Sequence, residues 1–422
     1  MDKKPPLVVV GASYAGTQLA AAARELGYDS PIVLLGDESH PPYQRPPLSK
    51  GLLTGKTAAE SLPLRGPDFF QEQGIDLRLG TRAASIDLAA KKVQLEDGTQ
   101  LDYATLVLAT GARCRPLMVS GSDLAGVYQL RTLDDALAVL QAVTSRPKVC
   151  AIGGGFIGLE VAAALAATGA EVTVVQSNRR LLARSVSEGM SEYIAQAHLK
   201  RGVKLELGHG VRSLRGLDGR VQAVELDDGR LIECDIVVLG IGVVPNDELA
   251  RQAGISCDNG ILVDHLGRTS APSVLAVGDV ANMRLSSVPG VPDSLQRVRL
   301  ESIQAANDGA RAAASLIAGQ PQPYSAVPWF WSEQFDLKIQ LAGLPATGDE
   351  MVARGELSSD RFTLFYLRDG VVAAAHSVNR PAEHMQARKL IAQRVSIPVA
   401  DLTDPSTDLK ALAASQTTKA TP

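Results

Sequence analysis

Apolar positions in this chain come in short continuous runs that stop abruptly at glycine. Leu7-Val8-Val9-Val10 runs into Gly11-Ala12-Ser13-Tyr14-Ala15-Gly16, and an alanine-rich stretch follows to Leu26 before Gly27. The pattern predicts strand, tight turn and helix, and the apolar run Ile32 to Leu35 predicts the returning strand of a βαβ unit. The same order recurs later in the chain. Val149-Cys150-Ala151-Ile152 leads into Gly153-Gly154-Gly155-Phe156-Ile157-Gly158, a helix-forming run reaches Ala167, and Val172 to Val175 follows. Two such units far apart in one chain imply two different nucleotides.

Each unit then carries short strands with the turn dipeptides Asp97-Gly98, Asp218-Gly219 and Asp228-Gly229, a pattern that predicts a β-meander. A closing strand follows in each, Thr105 to Ala109 into Thr110-Gly111 and Asp235 to Gly240 into Ile241-Gly242. Beyond Pro323 the runs become aromatic and strand-like, with Trp329-Phe330-Trp331, Lys338 to Leu341 and Phe362 to Leu367. A turn at Asp369-Gly370 and a final helix around Glu383 to Arg394 complete a smaller α+β domain. The expected division is 1–114 and 245–324 as two parts of a first nucleotide-binding domain, 115–244 as a second, and 325–412 as the C-terminal domain. The polar residues 413–422 read as an unstructured tail.

Composition narrows the picture. With 45% apolar and 21% charged residues, 38 glycines and 23 prolines, the 422-residue chain has the balance of a globular α/β protein of two or three domains. A net charge of −4 gives no reason to expect nucleic acid or an anionic membrane as partner. No run is long enough to span a bilayer, so the expected location is the cytoplasm. Cys114, Cys150, Cys234 and Cys257 are far apart and show no metal-ligand spacing, so no metal site is expected and all four read as small interior residues.

The chemistry sits at the glycine turns. There, backbone N–H groups and a helix N-terminus can face a pyrophosphate, provided no Cβ blocks the approach. In the first turn Gly11 and Gly16 fit the strict pattern while Ser13 takes the middle place, and Asp37 stands at the next strand end, where a ribose is held. The second turn has all three glycines, but its next strand ends in Gln176. Gln176 can bond a ribose without repelling a 2′-phosphate, and Arg179 and Arg180 follow it, so NADH is favoured over NADPH with the choice open. Ala276-Val277-Gly278-Asp279 is an apolar strand ending in an aspartate, which by itself is equally a turn or helix-cap residue.

Several longer stretches identify a family. Tyr43 to Lys50 (YQRPPLSK), Leu108 to Arg113 (LATGAR), Leu130-Arg131-Thr132-Leu133, Gly153 to Glu160, Gly278-Asp279, Val298 to Ser302 (VRLES) and Pro328 to Ser332 (PWFWS) occur in one order. Over nearly its full length the chain resembles the FAD-dependent NAD(P)H:ferredoxin reductases of bacterial cytochrome P450 and aromatic-ring dioxygenase systems. The resemblance implies a glutathione-reductase-like α/β fold, with two Rossmann-type nucleotide-binding domains and a C-terminal α+β domain. It implies FAD contacts at Gly11, Ser13, Ala15, Gly16, Asp37, Arg45, Pro46, Lys50, Ala83, Ala109, Thr110, Gly111, Arg131, Gly278, Asp279, Ile303 and Trp331. It also implies a nicotinamide nucleotide at Gly153, Gly155, Phe156, Ile157, Gly158, Glu160, Gln176, Arg184 and Gly242.

Lys50 and Glu160 are the implied catalytic pair: an ammonium beside the flavin stabilises negative charge as the ring is reduced, and a carboxylate orients both the lysine and the nicotinamide. On pattern alone they are a loop lysine and a helix glutamate. The implied partner is a [2Fe-2S] ferredoxin, and the implied assembly a monomer or weak homodimer. With no cysteine pair to relay electrons, the flavin has to discharge directly, which suits a one-electron acceptor. A rubredoxin reductase or an NAD(P)H oxidase is the alternative enzyme. An interaction flavoprotein like apoptosis-inducing factor is the alternative of another class, but it calls for a longer C-terminal insertion and basic surface runs, which this chain lacks. The Pro- and Ser-containing segment Met283 to Arg297 is longer than the family pattern and is expected to alter the flavin edge or the partner surface.

Overall fold

A computed structural model describes residues 5–143, 146–286 and 288–417. Two five-stranded parallel sheets form the framework. The first has the strand order Val274–Ala276, Thr105–Leu108, Leu7–Val10, Ile32–Leu35, Ile75–Arg78. The second has the order Lys204–Leu207, Glu171–Gln176, Lys148–Ile152, Ile236–Leu239, Val127–Gln129. Strands such as Leu7–Val10 and Ile236–Leu239 are buried at every position, which explains their continuous apolar runs: helices or further strands cover both faces of a parallel sheet. Each such Val or Leu contributes roughly 1.5–3 kcal/mol by leaving water.

The helix Tyr14–Glu25 follows the first glycine turn and packs on Ile303–Ile317. Ala20, Ala22 and Ala23 on one and Ala306, Ala310 and Ala313 on the other share one core cluster, where small side chains let two helices approach closely. Ser302 caps the second of these helices by accepting from the Ala305 N–H at 3.1 Å. The meanders are present as three-stranded antiparallel sheets, Ala83–Asp87 with Lys92–Leu95 and Gln100–Asp102, and Val211–Leu217 with Arg220–Leu226 and Leu231–Glu233. Asp218 and Gly219 both have positive φ, at 50° and 75°, as a two-residue hairpin turn of this hand requires.

The C-terminal sheet is antiparallel, ordered Trp329–Gln334, Leu337–Ala342, Val371–Val378, Phe362–Arg368, Glu350–Arg354, with the helix Pro381–Ala392 packed on it. That helix starts two residues ahead of the expected Glu383 because Pro381 suits its first turn, and it ends before Arg394, which has φ 52°.

Two expectations need correction. The tail expected over 413–422 is helical as far as Thr417, in a helix that begins at Leu409; residues 418–422 lie outside the described residues. Leu409 and Ala413 are buried in the core shared with the helix Pro381–Ala392, and the buried Arg354 guanidinium gathers the chain ahead of them by donating to the carbonyls of Leu402, Asp404, Pro405 and Thr407. Of the two effects expected of the segment Met283 to Arg297, the one on the flavin edge is not found, since its described residues do not border the cleft described below. Leu285, Val288 and Val291 are buried, Gly290 O accepts from Leu344 N at 2.6 Å, and Arg297 donates to Val263 O and Asn282 O. The insertion therefore joins the first unit to the C-terminal domain. No helix among the described residues is long and apolar enough to cross a membrane.

Candidate functional site

Where the first glycine turn meets the C-terminal strand Trp329–Gln334, the chain encloses a cleft of about 460 Å³. Its floor is the turn itself. Gly11 has φ 117°, and a Cβ there would lie 2.1 Å from Ala109 O; one on Gly16 would lie 1.9 Å from Gly11 O. Gly16 is thus needed for packing behind the turn and does not itself border the cleft. The first-turn N–H groups of the helix Tyr14–Glu25 have no acceptor four residues back, and Ser13, Tyr14 and Ala15 all line the cleft.

Ser13 has a distinct use. Its hydroxyl accepts from Arg45 Nε at 3.2 Å, and the same guanidinium donates to Arg131 O at 2.7 Å and Glu38 Oε1 at 2.5 Å. Tyr43 donates to Glu38 Oε2, and burial, with Glu38 beside it, pushes its phenol well above the ordinary range against the opposing pull of Arg45. Of the two adjacent acids, Glu38 is therefore engaged by the protein, whereas Asp37 is exposed at the cleft edge and free to meet a ribose.

On the opposite wall Gly278, φ 76°, passes Ala15 so closely that a Cβ would lie 2.8 Å from the Ala15 methyl, and the next residue, Asp279, binds Arg131 Nη2 at 2.8 Å. Ala109, Thr110, Gly111, Pro46, Ile303 and Trp331 complete the expected set around the cleft. Ala83 does not border it; this residue packs at a buried meander position with Val93 and Leu95.

Lys50 and Glu160 meet at the end of the cleft, Nζ to Oε2 at 2.8 Å, although one lies in the proline-rich loop and the other on the helix Phe156–Ala167. Pro46 and Pro47 start a short 3-10 turn that fixes the loop, and Lys50 Nζ also donates to Pro46 O at 3.2 Å. The Glu160 carboxylate is buried and accepts two further bonds, from Ser49 Oγ at 2.5 Å and Ser332 Oγ at 2.6 Å. Phe156 packs against Phe330 with the rings tilted by 51° and centroids 4.7 Å apart.

The second glycine turn opens elsewhere. Only Ile157 and Glu160 from its helix reach the cleft. Gly153 and Gly158 repeat the packing of Gly11 and Gly16, with Cβ atoms that would lie 2.3 Å from Gly240 O and 2.0 Å from Gly153 O. Gln176 Oε1 accepts from Gly154 N at 2.9 Å, so the residue at the acid's place is bound to the turn. Arg180 donates to Val186 O and Ala183 O, each at 2.8 Å, while Arg179 is exposed. Arg184 reaches over Gly242, whose added Cβ would lie 3.8 Å from its Nη2.

Sequence reasoning missed Glu38, Tyr43, Glu301 and Cys114. Glu301 lines the cleft, pairs with Arg299 at 2.8 Å, and has its carboxyl pushed up by burial. Tyr43 and Glu301 lay inside stretches that marked the family, a signal that could have found both. Cys114, expected in the interior, borders the cleft half-buried; burial raises its thiol, which keeps it protonated.

Residues 5–310 match the model of the pyridine nucleotide-disulphide oxidoreductase family. The chain belongs to this family. It is an oxidoreductase of α/β fold, and residues 329–413 match a second model, the reductase C-terminal domain. Rhodocoxin reductase of Rhodococcus erythropolis is 42% identical over 96% of this chain and 93% of its own length. Putidaredoxin reductase of Pseudomonas putida is 36% identical over 98% of both chains. Among solved structures, the ferredoxin reductase for the CYP199A2 system from Rhodopseudomonas palustris superposes with a TM-score of 0.93 at 40% identity, covering 97% of this chain and all of that one. The covalent putidaredoxin reductase–putidaredoxin complex gives a TM-score of 0.93 at 36% identity, with full coverage of both.

Proposed function

We propose that this oxidoreductase is a ferredoxin reductase that passes electrons from NADH through FAD to a [2Fe-2S] ferredoxin serving a cytochrome P450 or ring-hydroxylating oxygenase. The observation that carries the reading is the Lys50–Glu160 pair, contributed by two different units and held where the first turn's cleft meets the second turn's helix. When bound, FAD would supply the conversion between two-electron hydride chemistry and single-electron transfer. The residues present fit that group. Gly11, Gly278 and the open N-terminus of the helix Tyr14–Glu25 admit a pyrophosphate, and Asp37 and Asp279 offer carboxylates to hydroxyl groups. Lys50 would offer a positive charge to a ring that gains electron density on reduction, and Glu160 holds that charge in position.

One contact supports NADH over NADPH: the Arg180 guanidinium is engaged by two carbonyls, which occupies two of its donors. The absence of a paired thiol among the described residues supports a one-electron acceptor, since Cys114 stands by itself at the cleft. The test is reduction of cytochrome c by the purified yellow protein with NADH or NADPH, with and without [2Fe-2S] ferredoxins. The expected result is NADH-dependent reduction accelerated by a ferredoxin; no acceleration by any ferredoxin, or a protein that cannot be loaded with FAD, refutes the reading.

A further inference from the structure

Behind Glu160 the hydrogen bonds continue away from the cleft. In the strand Trp329–Gln334 side chains alternate, so Phe330, Ser332 and Gln334 share one face. Phe330 meets Phe156, Ser332 meets Glu160, and Gln334 meets His198 on the helix Glu188–Lys200. Ser332, Gln334 and His198 are almost completely buried, at 0%, 1% and 0% exposure.

The direction of every bond in this chain follows from its end. An ionised carboxylate only accepts, so the single Ser332 hydroxyl hydrogen goes to Glu160 Oε1 at 2.6 Å. Ser332 Oγ then has only lone pairs left, which turns the Gln334 amide so that Nε2 donates to it at 3.1 Å. Gln334 Oε1 must therefore face His198, whose Nε2 carries the hydrogen and donates at 2.9 Å. His198 Nδ1 has no protein partner among the described residues, and Phe335 packs on the ring at a centroid distance of 5.2 Å. Burial lowers the affinity of His198 for a second proton, outweighing the bond to Gln334, so the ring stays neutral. With Ser49 and Lys50 on its other oxygen, the carboxylate receives hydrogens from both sides.

We propose that Ser332, Gln334 and His198 are positioning residues for flavin reduction: their one-way hydrogen-bond chain fixes the Glu160 carboxylate, and through it Lys50, at the cleft. The inference rests on the reading of the cleft given above. An apolar contact of the same shape would join the C-terminal strand to the second unit as firmly without the cost of burying three polar side chains. What the polar chain adds is a fixed orientation for one carboxylate, and small displacements of such a group are magnified in rate.

The test is anaerobic stopped-flow reduction of the FAD-loaded protein by NADH, read as the limiting rate and the half-saturating NADH concentration. Glu160→Gln is the reference variant. Ser332→Ala is expected to lower the limiting rate about tenfold and Gln334→Leu about threefold, with half-saturation held within about twofold. Ser332→Thr keeps the hydroxyl on a residue suited to a strand, and is expected to restore the rate. Limiting rates in Ser332→Ala and Gln334→Leu equal to the parent's overturn the proposal. So does a joint loss of FAD and NADH affinity that Ser332→Thr does not restore, since that is the signature of packing alone. If Glu160→Gln itself leaves the limiting rate intact, the reading of the Lys50–Glu160 pair fails and the proposal falls with it.

Discussion

The two glycine turns are built alike and surrounded differently. In both, a glycine Cβ would strike the carbonyl of a neighbouring strand or turn, at Gly11 and Gly16 in one case and Gly153 and Gly158 in the other. The first turn faces a cleft whose other walls come from distant stretches: Arg45 crosses to Ser13 and Glu38, Asp279 pairs with Arg131, and Trp331 covers one end. The second turn stands outside that cleft: its glycines Gly153, Gly154 and Gly158 are buried, and only Ile157 and Glu160 of its helix reach the cleft lining. One framework is therefore used in two ways: the first turn forms the floor of the cleft, and the second contributes to it only through the side of its helix.

The strongest way to break this contrast is to place a Cβ in each turn. Gly16→Ala drives a methyl to 1.9 Å from a backbone carbonyl and is expected to abolish FAD binding, read as loss of the flavin absorbance from purified protein. Gly158→Ala makes the equivalent clash in the second turn, and is expected to leave the protein yellow but unable to be reduced by NADH. Equal FAD loss in both would show that the turns are not separate sites.

A milder break removes one wall. Asp279→Ala deletes the partner of Arg131 along with a carboxylate of the cleft, and is expected to weaken FAD binding roughly tenfold to a hundredfold, about 1.4–2.8 kcal/mol, by fluorescence titration. An unchanged dissociation constant would remove Asp279 from the site. The smallest effect is expected at the second turn: Gln176→Asp puts a carboxylate at the end of the strand that follows it, where it would repel a 2′-phosphate, and should raise the NADH over NADPH ratio of kcat/KM several-fold while leaving FAD content alone.

The framework was legible because parallel sheets buried on both faces require continuous apolar runs, and turns beside a phosphate require glycine. The same logic explains what stayed hidden. Asp37 and Glu38 are adjacent acids with the same local pattern, and only the fold brings Tyr43 and Arg45 onto the second. Ser13 looked like a weakened glycine position until Arg45 was seen to bind its hydroxyl. Ser332 ends a stretch that marks the family, but its bond to Glu160, and that of Gln334 to His198, join residues far apart in sequence and leave no local pattern. The end of the helix Leu409–Thr417 was missed because its last residues are small and polar, while its support comes from Leu409 and Ala413 packing with the helix Pro381–Ala392 and from Arg354, which gathers the chain ahead of it.

The order of strands in the first sheet has a consequence for how the protein is made. The second sheet draws all its strands from the continuous stretch 127–239, whereas the first needs Val274–Ala276, and the helix packed on Tyr14–Glu25 comes later still, at Ile303–Ile317. A chain emerging from the ribosome N-terminus first can therefore finish its second nucleotide-binding unit while its first still waits for an edge strand. The cleft that defines the enzyme is among the last parts of the molecule to close.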